Sequence, residues 1–435
     1  MNTTTSALPR LLVLSSALMI PLNPAAQEQK QPLHYTVTIV DGLGGDGGET
    51  VGINNRGSAS GNSYLPGDIV QHGFIWRKGV TTDLGTLGGP NSFDPESWPP
   101  NEKDEVAGLS DTAELDPYAE NFCGFLNFHF SPYICRPFVW QKGILTELPT
   151  LGGNNAGANA INNRGQVTGL AETSNTDPTC VSPQVFNFQA VIWEPKKGKI
   201  QVLPPLPSDT SAAVFGINDK GQATGVSGNC SMLAGPPQLF TGAIEAVLWE
   251  SDGTPINLGS LGGKTFNIGF SLNNRGQVVG QSDLPGDATW HPFLWENRVM
   301  TDLGTLYGLP VGFAASINNQ GQVVGVSQDF NNTDVPFIWH DGVMTDLNTL
   351  IPADSPWFLL EALGINDRGE IAGYAFNIST GEVHGFILTP VQSSESNAQT
   401  ARNTVSKVPP VLPQKVRQML KRRTGARLHW PSPPN

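Results

Sequence analysis

Apolar residues alternate with polar or small ones over short stretches throughout the chain, as at Ile268, Phe270 and Leu272 or at Phe313, Ala315 and Ile317. A period of two marks a strand with one buried face. Each stretch runs into one recurring element, Ile-Asn-Asn/Asp-x-Gly-x-x-x-Gly. It occupies residues 53–61, 161–169, 217–225, 272–280 (opened by Leu272), 317–325 and 365–373, with a worn copy at 101–108 where Asp104 replaces the turn glycine. Asn favours the first position of a type I turn and Gly the left-handed residue after it, so the element predicts a tight hairpin. Gln-Val-Val-Gly downstream is the hairpin's second strand.

A third strand is predicted at residues 72–76, 136–140, 189–193, 245–249, 291–295, 335–339 and 384–388. Phe293 and Trp295 point to one face and Leu294 to the other, so such a strand must be buried on both sides, as between stacked blades. A fourth strand is predicted at residues 82–89, with kin at 146–153, 256–263, 301–308 and 345–350 and a weaker copy at 202–207. The closing glycines (61, 108, 169, 225, 280, 325, 373) are 45 to 61 residues apart, the length of a four-stranded blade.

The last repeat, residues 364–390, contains three strands and no fourth. The first strand of the chain, residues 35–40 followed by Gly42-Leu43-Gly44-Gly45, resembles the missing one. These ends predict an all-β, seven-bladed β-propeller of four-stranded blades, with the ring closed by the N-terminal strand completing the C-terminal blade. An open solenoid would need no such permutation.

The same residues carry a resemblance to the bacterial extracellular repeat proteins of the HAF family, named for a His-Ala-Phe tripeptide. That tripeptide reads His72-Gly73-Phe74, His291-Pro292-Phe293 and His384-Gly385-Phe386 here, beside Asp-Leu-Gly-Thr-Leu-Gly-Gly and Ile-Asn-Asn-Arg-Gly-Gln-Val-Val-Gly signatures. The resemblance covers residues 35–390 and implies an exported, propeller-like protein. It carries over no activity and no binding residue. The worn second repeat and the loss of His from four of the seven tripeptides depart from the pattern.

Composition adds the setting. Gly 49 and Pro 35 with only 14% charged residues suit many short strands and turns. The formal net charge is −13, yet eight Lys/Arg stand against one acid, Glu395, from Val391 onward, so the body is strongly acidic. An acidic body argues against nucleic acid as partner. Arg10, an apolar run at residues 11–22 and Pro24-Ala25-Ala26 read as an export signal, because a run of that length is too short to span a bilayer. The expected layout is a signal peptide at 1–26, a short linker at 27–34, the propeller at 35–390, and a basic, Pro-rich, disordered tail at 391–435. A soluble monomer outside the cytoplasm, extracellular or periplasmic, follows. Four cysteines suit such a compartment. Their spacing suggests Cys123–Cys135 and Cys180–Cys230, although four cysteines permit three connectivities, and zinc is the alternative.

Strand parity puts the tight hairpins at one end of the ring and the long insertions, residues 110–134, 170–188, 226–244, 281–290 and 326–334, at the other. Long loops on a rigid scaffold carry function, so a site is expected on the elaborated end. Candidate ligand-binding aromatics are Trp98 and Trp357, read as lying in blade connections there, and Tyr118 and Tyr133 in the second-repeat insertion. Those insertion aromatics equally read as a satellite core. His72, His291 and His384 recur at one position, as strand-end hydrogen-bonding groups or as metal ligands. Asp94, Glu96, Glu114, Asp116, Glu172, Asp177, Asp283, Asp287 and Asp354 are acids of the same end, able in pairs to act as general acid and base or to hold Ca²⁺. No motif supports a cofactor, a metal or a catalytic nucleophile. The leading expectation is a non-catalytic binding or scaffolding module for protein or polysaccharide; the alternative is a polysaccharide hydrolase or lyase.

Overall fold

A computed structural model describes Met1 and residues 34–95, 98–126, 131–233, 244–330 and 333–391. The expected signal peptide, nearly all of the linker and the tail beyond Val391 lie outside these residues. Seven four-stranded antiparallel sheets form a seven-bladed β-propeller. Blade I is Gly48–Ile53, Ala59–Tyr64, Gln71–Arg77 and Val80–Asp83; blade II is Gly88–Phe93, Val106–Leu115, Tyr133–Gln141 and Ile144–Glu147. Blade III is Gly152–Ile161, Val167–Thr176, Phe186–Glu194 and Lys199–Leu203; blade IV is Ser211–Ile217, Ala223–Gly228, Glu245–Trp249 and Pro255–Asn257. Blade V is Asn267–Leu272, Val278–Asp283, Trp290–Glu296 and Val299–Asp302; blade VI is Val311–Ile317, Val323–Gln328, Asp334–His340 and Val343–Asp346. Blade VII takes Trp357–Ile365, Ile371–Asn377 and Val383–Val391 from the far end of the chain. Its fourth strand is His34–Val40, in register from His34↔Val391 to Val40↔Gly385. The ring closes as the ends of the sequence predict.

The fourth strand itself differs from expectation. The outer strand is Val80–Asp83, so Asp83 is the one residue of the Asp-Leu-Gly-Thr-Leu-Gly-Gly stretch within it, and Gly88-Gly89 already open the next blade. The residues between them are the link from blade to blade. Gly85 takes φ +77°, which ends the strand, and the Leu87 amide donates to Ser110 Oγ. The same amide-to-serine bond recurs at Leu43–Ser63, Leu206–Ser227, Leu261–Ser282 and Leu306–Ser327, at 2.8–3.0 Å. The motif is periodic because in five of the seven blades it ties the link to the blade it leads into, not because it is a strand.

The closing glycine has a steric cause. Inner strands carry a one-residue register shift, as between Thr50 and Gly52 or Phe313's neighbours Ala314 and Ser316. Such a bulge presses the inner-strand carbonyl against the second strand. A Cβ at Gly61, Gly280 or Gly373 would overlap the carbonyl oxygen of Glu49, Ile268 or Glu361. The third-strand tryptophans are core: Trp193 and Trp249 are fully buried, and each indole N–H donates to the link behind it, at Pro149 O and Pro204 O.

At the hairpin end the repeat asparagines form two closed circuits. The first Asn of each turn (54, 101, 162, 218, 273, 318, 366) donates from Nδ2 to the backbone carbonyl of its counterpart in the next blade, ending with Asn366 to Asn54, at 2.9–3.1 Å. The residue after it (55, 102, 163, 219, 274, 319, 367) donates its backbone N–H to the side-chain oxygen of the next blade's equivalent, at 2.7–2.9 Å. The worn blade II keeps both contacts through Asn101 and Glu102, and Asp104 takes φ +59° in place of glycine.

Candidate functional site at the elaborated end

The axis of the ring has two unlike ends. At the hairpin end, residues from all seven turns rim a shallow cup of about 200 Å³. Its floor is Trp98. Expected in a blade connection on the opposite end and exposed, Trp98 instead interrupts the first hairpin of blade II, between Phe93 and Val106, and is only 8% exposed. Its indole crosses the axis to blade IV, where a Cβ on Gly216 would overlap it. Residues 94–105 lengthen that hairpin, and this is the insertion that carries Trp98 inward. Below it Phe215, Phe270 and Phe313, from successive inner strands, contact at 6.0 Å and fill the axis. This end is closed and its polar groups pair with one another.

The other end holds the loops between second and third strands and the links between blades. Both disulfides lie there, Cys123–Cys135 within blade II's insertion and Cys180–Cys230 between the loops of blades III and IV, as the spacing suggests. Tyr118 is half exposed and meets Phe186 edge-on at 4.9 Å; Tyr133, half-buried, opens the third strand of blade II. Beneath them Phe122 is buried, while the side chains of residues 125–130 lie outside the described set. Trp357 is half-buried at the start of blade VII's inner strand, edge-on to His384 at 5.6 Å. Blade I separates Trp357 from the tyrosines, so these aromatics do not form one platform.

Charge is divided between the ends. Among the Lys and Arg of the described residues, Arg136 and Lys264 alone lie at the elaborated end; the others sit in first-to-second or third-to-fourth turns or at the strand ends beside them. Exposed acids of the elaborated end include Asp46, Asp68, Glu114, Asp354 and Glu382. Glu96 falls outside the described residues.

Two of the three recurring histidines tie third strand to fourth, while His384 packs edge-on against Trp357. His72 Nδ1 bonds the Asp83 carboxylate at 2.9 Å, and its Nε2 meets Pro90 O at 3.2 Å; His291 pairs with Asp302 at 2.9 Å. Burial pushes the Asp83 and Asp302 carboxyls up, but the histidine and the Gly85 or Gly304 amide outweigh it and hold both below the usual carboxylate range. Blade II places Arg136 against Glu147 and blade IV Glu245 against Asn257 in the same register. Complementary pairs substitute for one another, which fits a cross-strand tie. Among the described residues no group of His, Cys, Asp and Glu could hold a metal ion.

Two buried carboxylate groups are the other features. Near the axis, Glu49 and Glu361 stand on inner strands at the register where blades II, V and VI carry Phe93, Ile268 and Phe313. Burial pushes the Tyr374 phenol well up, and the charges of Glu361, Asp334 and Glu49 add to it. Burial likewise drives the Asp334 carboxyl up to about 7 against the Gln328 amide, and raises Asp94. Under the blade II insertion, Asp116, Glu120 and Glu172, all less than 7% exposed, converge on Asn155. Asp94, Asp116 and Glu172 could be picked from the sequence as acids; Glu49, Glu120, Glu361 and Tyr374 were missed. The available signal was a polar residue at a repeat register that is apolar in most blades.

No family model matches the chain, and no curated protein does. Among solved structures it is similar to the oligogalacturonate lyase of Vibrio parahaemolyticus (9% identity, TM-score 0.42, covering 82% of this chain and 96% of that one). It is also similar to the acylaminoacyl peptidase of Pyrococcus horikoshii (10%, 0.40, 70% of this chain and 46% of that one) and the sialidase of Trypanosoma rangeli (8%, 0.37, 78% and 54%). The chain thus spans under half of the peptidase. Likeness at this level transfers no activity. No described helix is long and apolar enough to cross a membrane.

Proposed function

We propose that the protein is an exported binding module that receives a protein or a polysaccharide on its elaborated end. The carrying observation is the division of labour between the ends. One is locked by two hydrogen-bond circuits and plugged by Trp98; the other gathers the long loops, both disulfides, the exposed Tyr118 and the half-buried Trp357. Export fits the two disulfides and the resemblance to the HAF family. The shortage of Lys and Arg at the receiving end favours a neutral polysaccharide or a Lys/Arg-bearing protein over uronate chains or nucleic acid, since like charge opposes approach.

A second reading, a polysaccharide-cleaving enzyme, draws on Asp334, whose buried carboxyl is pushed up to about 7 and whose charge reaches Tyr374, because an acid so raised can supply a proton near neutrality. One experiment separates the two. The purified protein is incubated with a panel of neutral and acidic polysaccharides, following melting temperature and released reducing ends. Binding raises the melting temperature by mass action without new ends. New ends that vanish in Asp334→Asn would establish the enzyme instead.

A further inference from the structure

The seam between the blade II insertion and blade III contains more acid than its surroundings neutralise. Glu120 Oε1 accepts the Val185 and Phe186 amides at 2.8 and 3.0 Å, and its Oε2 accepts Asn155 Nδ2 at 3.0 Å. Glu172, fully buried on blade III, accepts the Asn155 amide at 2.8 Å and Gln184 Nε2 at 2.7 Å. Asp116 accepts the Glu120 amide at 3.0 Å and Asn155 Nδ2 at 3.2 Å. Asn155 Oδ1 in turn accepts the Cys135 amide. Asp111, also buried, is occupied with Ser131 and Asn91. The nearest cation in sequence, Arg136, bonds Asn154 O and pairs with Glu147 on its own blade. Tyr118 and Tyr133 border the seam without an ionic role. Gln184 Nε2 also reaches Glu120 Oε1, at 3.4 Å, so one amide bridges the two glutamates, which hydrogen-bond each other. Among the described residues the other partners of these three carboxylates are neutral amides and no cation.

The loop held by the seam is also strained. Ala119 and Asn121 take φ +53° and +57°, a left-handed region that a Cβ disfavours, more for Ala119 than for Asn121, so release of the seam relaxes it.

We propose that this seam is a proton-operated latch: a proton shared by Glu120 and Glu172 docks the blade II insertion on blade III, and its loss frees the insertion. The proposal rests on the reading of the elaborated end as the receiving surface, since the latch sets the position of Tyr118 against Phe186. Burial drives the Glu172 carboxyl up to about 8, with Glu120 and Asp116 adding to it; burial also raises Glu120, against the Phe186 and Val185 amides. A carboxyl raised by docking is protonated when docked and ionised when free. Docking strength is therefore complete below the ordinary carboxylate range and lost as pH rises through about 8. The Cys123–Cys135 bridge keeps the freed loop beside its strand.

Hydrogen exchange of the full-length protein between pH 6 and 9.5, corrected for the intrinsic pH dependence of exchange, reads the latch without any partner. The expected result is a loss of protection of about tenfold or more at the Cys135, Val185 and Phe186 amides, with the inner strands of blades V and VI unchanged. Glu172→Gln, which keeps the size, one accepting oxygen and a donor in place of the shared proton but carries no charge, should hold protection flat over that range, and Glu120→Gln should do the same if the first variant misfolds. Unchanged protection in the wild type would overturn the latch. So would a loss that persists in both variants. Neither result touches the binding proposal, which the polysaccharide panel tests separately.

Discussion

The first Asn of each hairpin closes its own turn with its oxygen and reaches the next blade with its nitrogen. Asn318 Oδ1 accepts the Gln320 and Gln322 amides while Nδ2 donates to Asn366 O, all at a site 3% exposed. Asn319 is less buried and contributes one oxygen and one amide to the outer circuit, toward Asn274 and Asp367. Removing a buried residue that leaves donors and acceptors unpaired costs about 1–3 kcal/mol for the groups stranded. Asn318→Ala should therefore destabilise by about 2–3 kcal/mol and Asn319→Ala by about 1 kcal/mol, compared by urea unfolding. Equal effects would show that the inner circuit has no special weight. The histidine ties belong at the other extreme: with Asp83 and Asp302 about 40% exposed, solvent screens them, and they serve to set strand pairing more than stability.

At the scale of elements, the hairpin, the third strand and the missing fourth strand were legible because strands and type I turns leave short-range signals. Ile268, Phe270 and Leu272 alternate, and Asn273 and Gly276 mark the turn. The link between blades was misread because Thr82, Leu84 and Thr86 keep the two-fold spacing of a strand while Gly85 and the Leu87–Ser110 bond break it. Trp98 was misplaced for a related reason. Blade II has lost its turn glycine and gained residues ahead of Asn101, so register alone could not show that the gain enters the axis. That placement predicts a coupling. Gly216→Ala should cost about 1–3 kcal/mol by overpacking against the indole, and most of the loss should disappear in a Trp98→Ala background. Additive losses in the double variant would mean that the two residues do not meet.

Over the whole molecule, ring closure depends on a strand from the opposite end of the chain. His34–Val40 buries Tyr35 and Val40, each 2% exposed, and burial of such side chains stabilises by about 1.5–3 kcal/mol apiece. A chain beginning after Val40 should lose several kcal/mol, and a peptide of residues 34–40 added in trans should restore part of the melting temperature by completing blade VII. Failure of the peptide to bind would argue against pairing as the source of closure. Little of the candidate site could be seen at this scale in advance. Insertions and cysteines indicated which end is elaborated, but Glu120 meets Glu172, and Glu49 meets Tyr374, only through blade packing that no local pattern records. The most direct test compares variants of the two ends for one ligand found in the polysaccharide and protein panel. Tyr118→Ala and Trp357→Ala should weaken binding by about tenfold or more, while Val80→Ser and Val299→Ser, exposed at the hairpin end, should leave it unchanged. Binding that survives the first pair and falls with the second would place the receiving surface on the wrong end of the propeller.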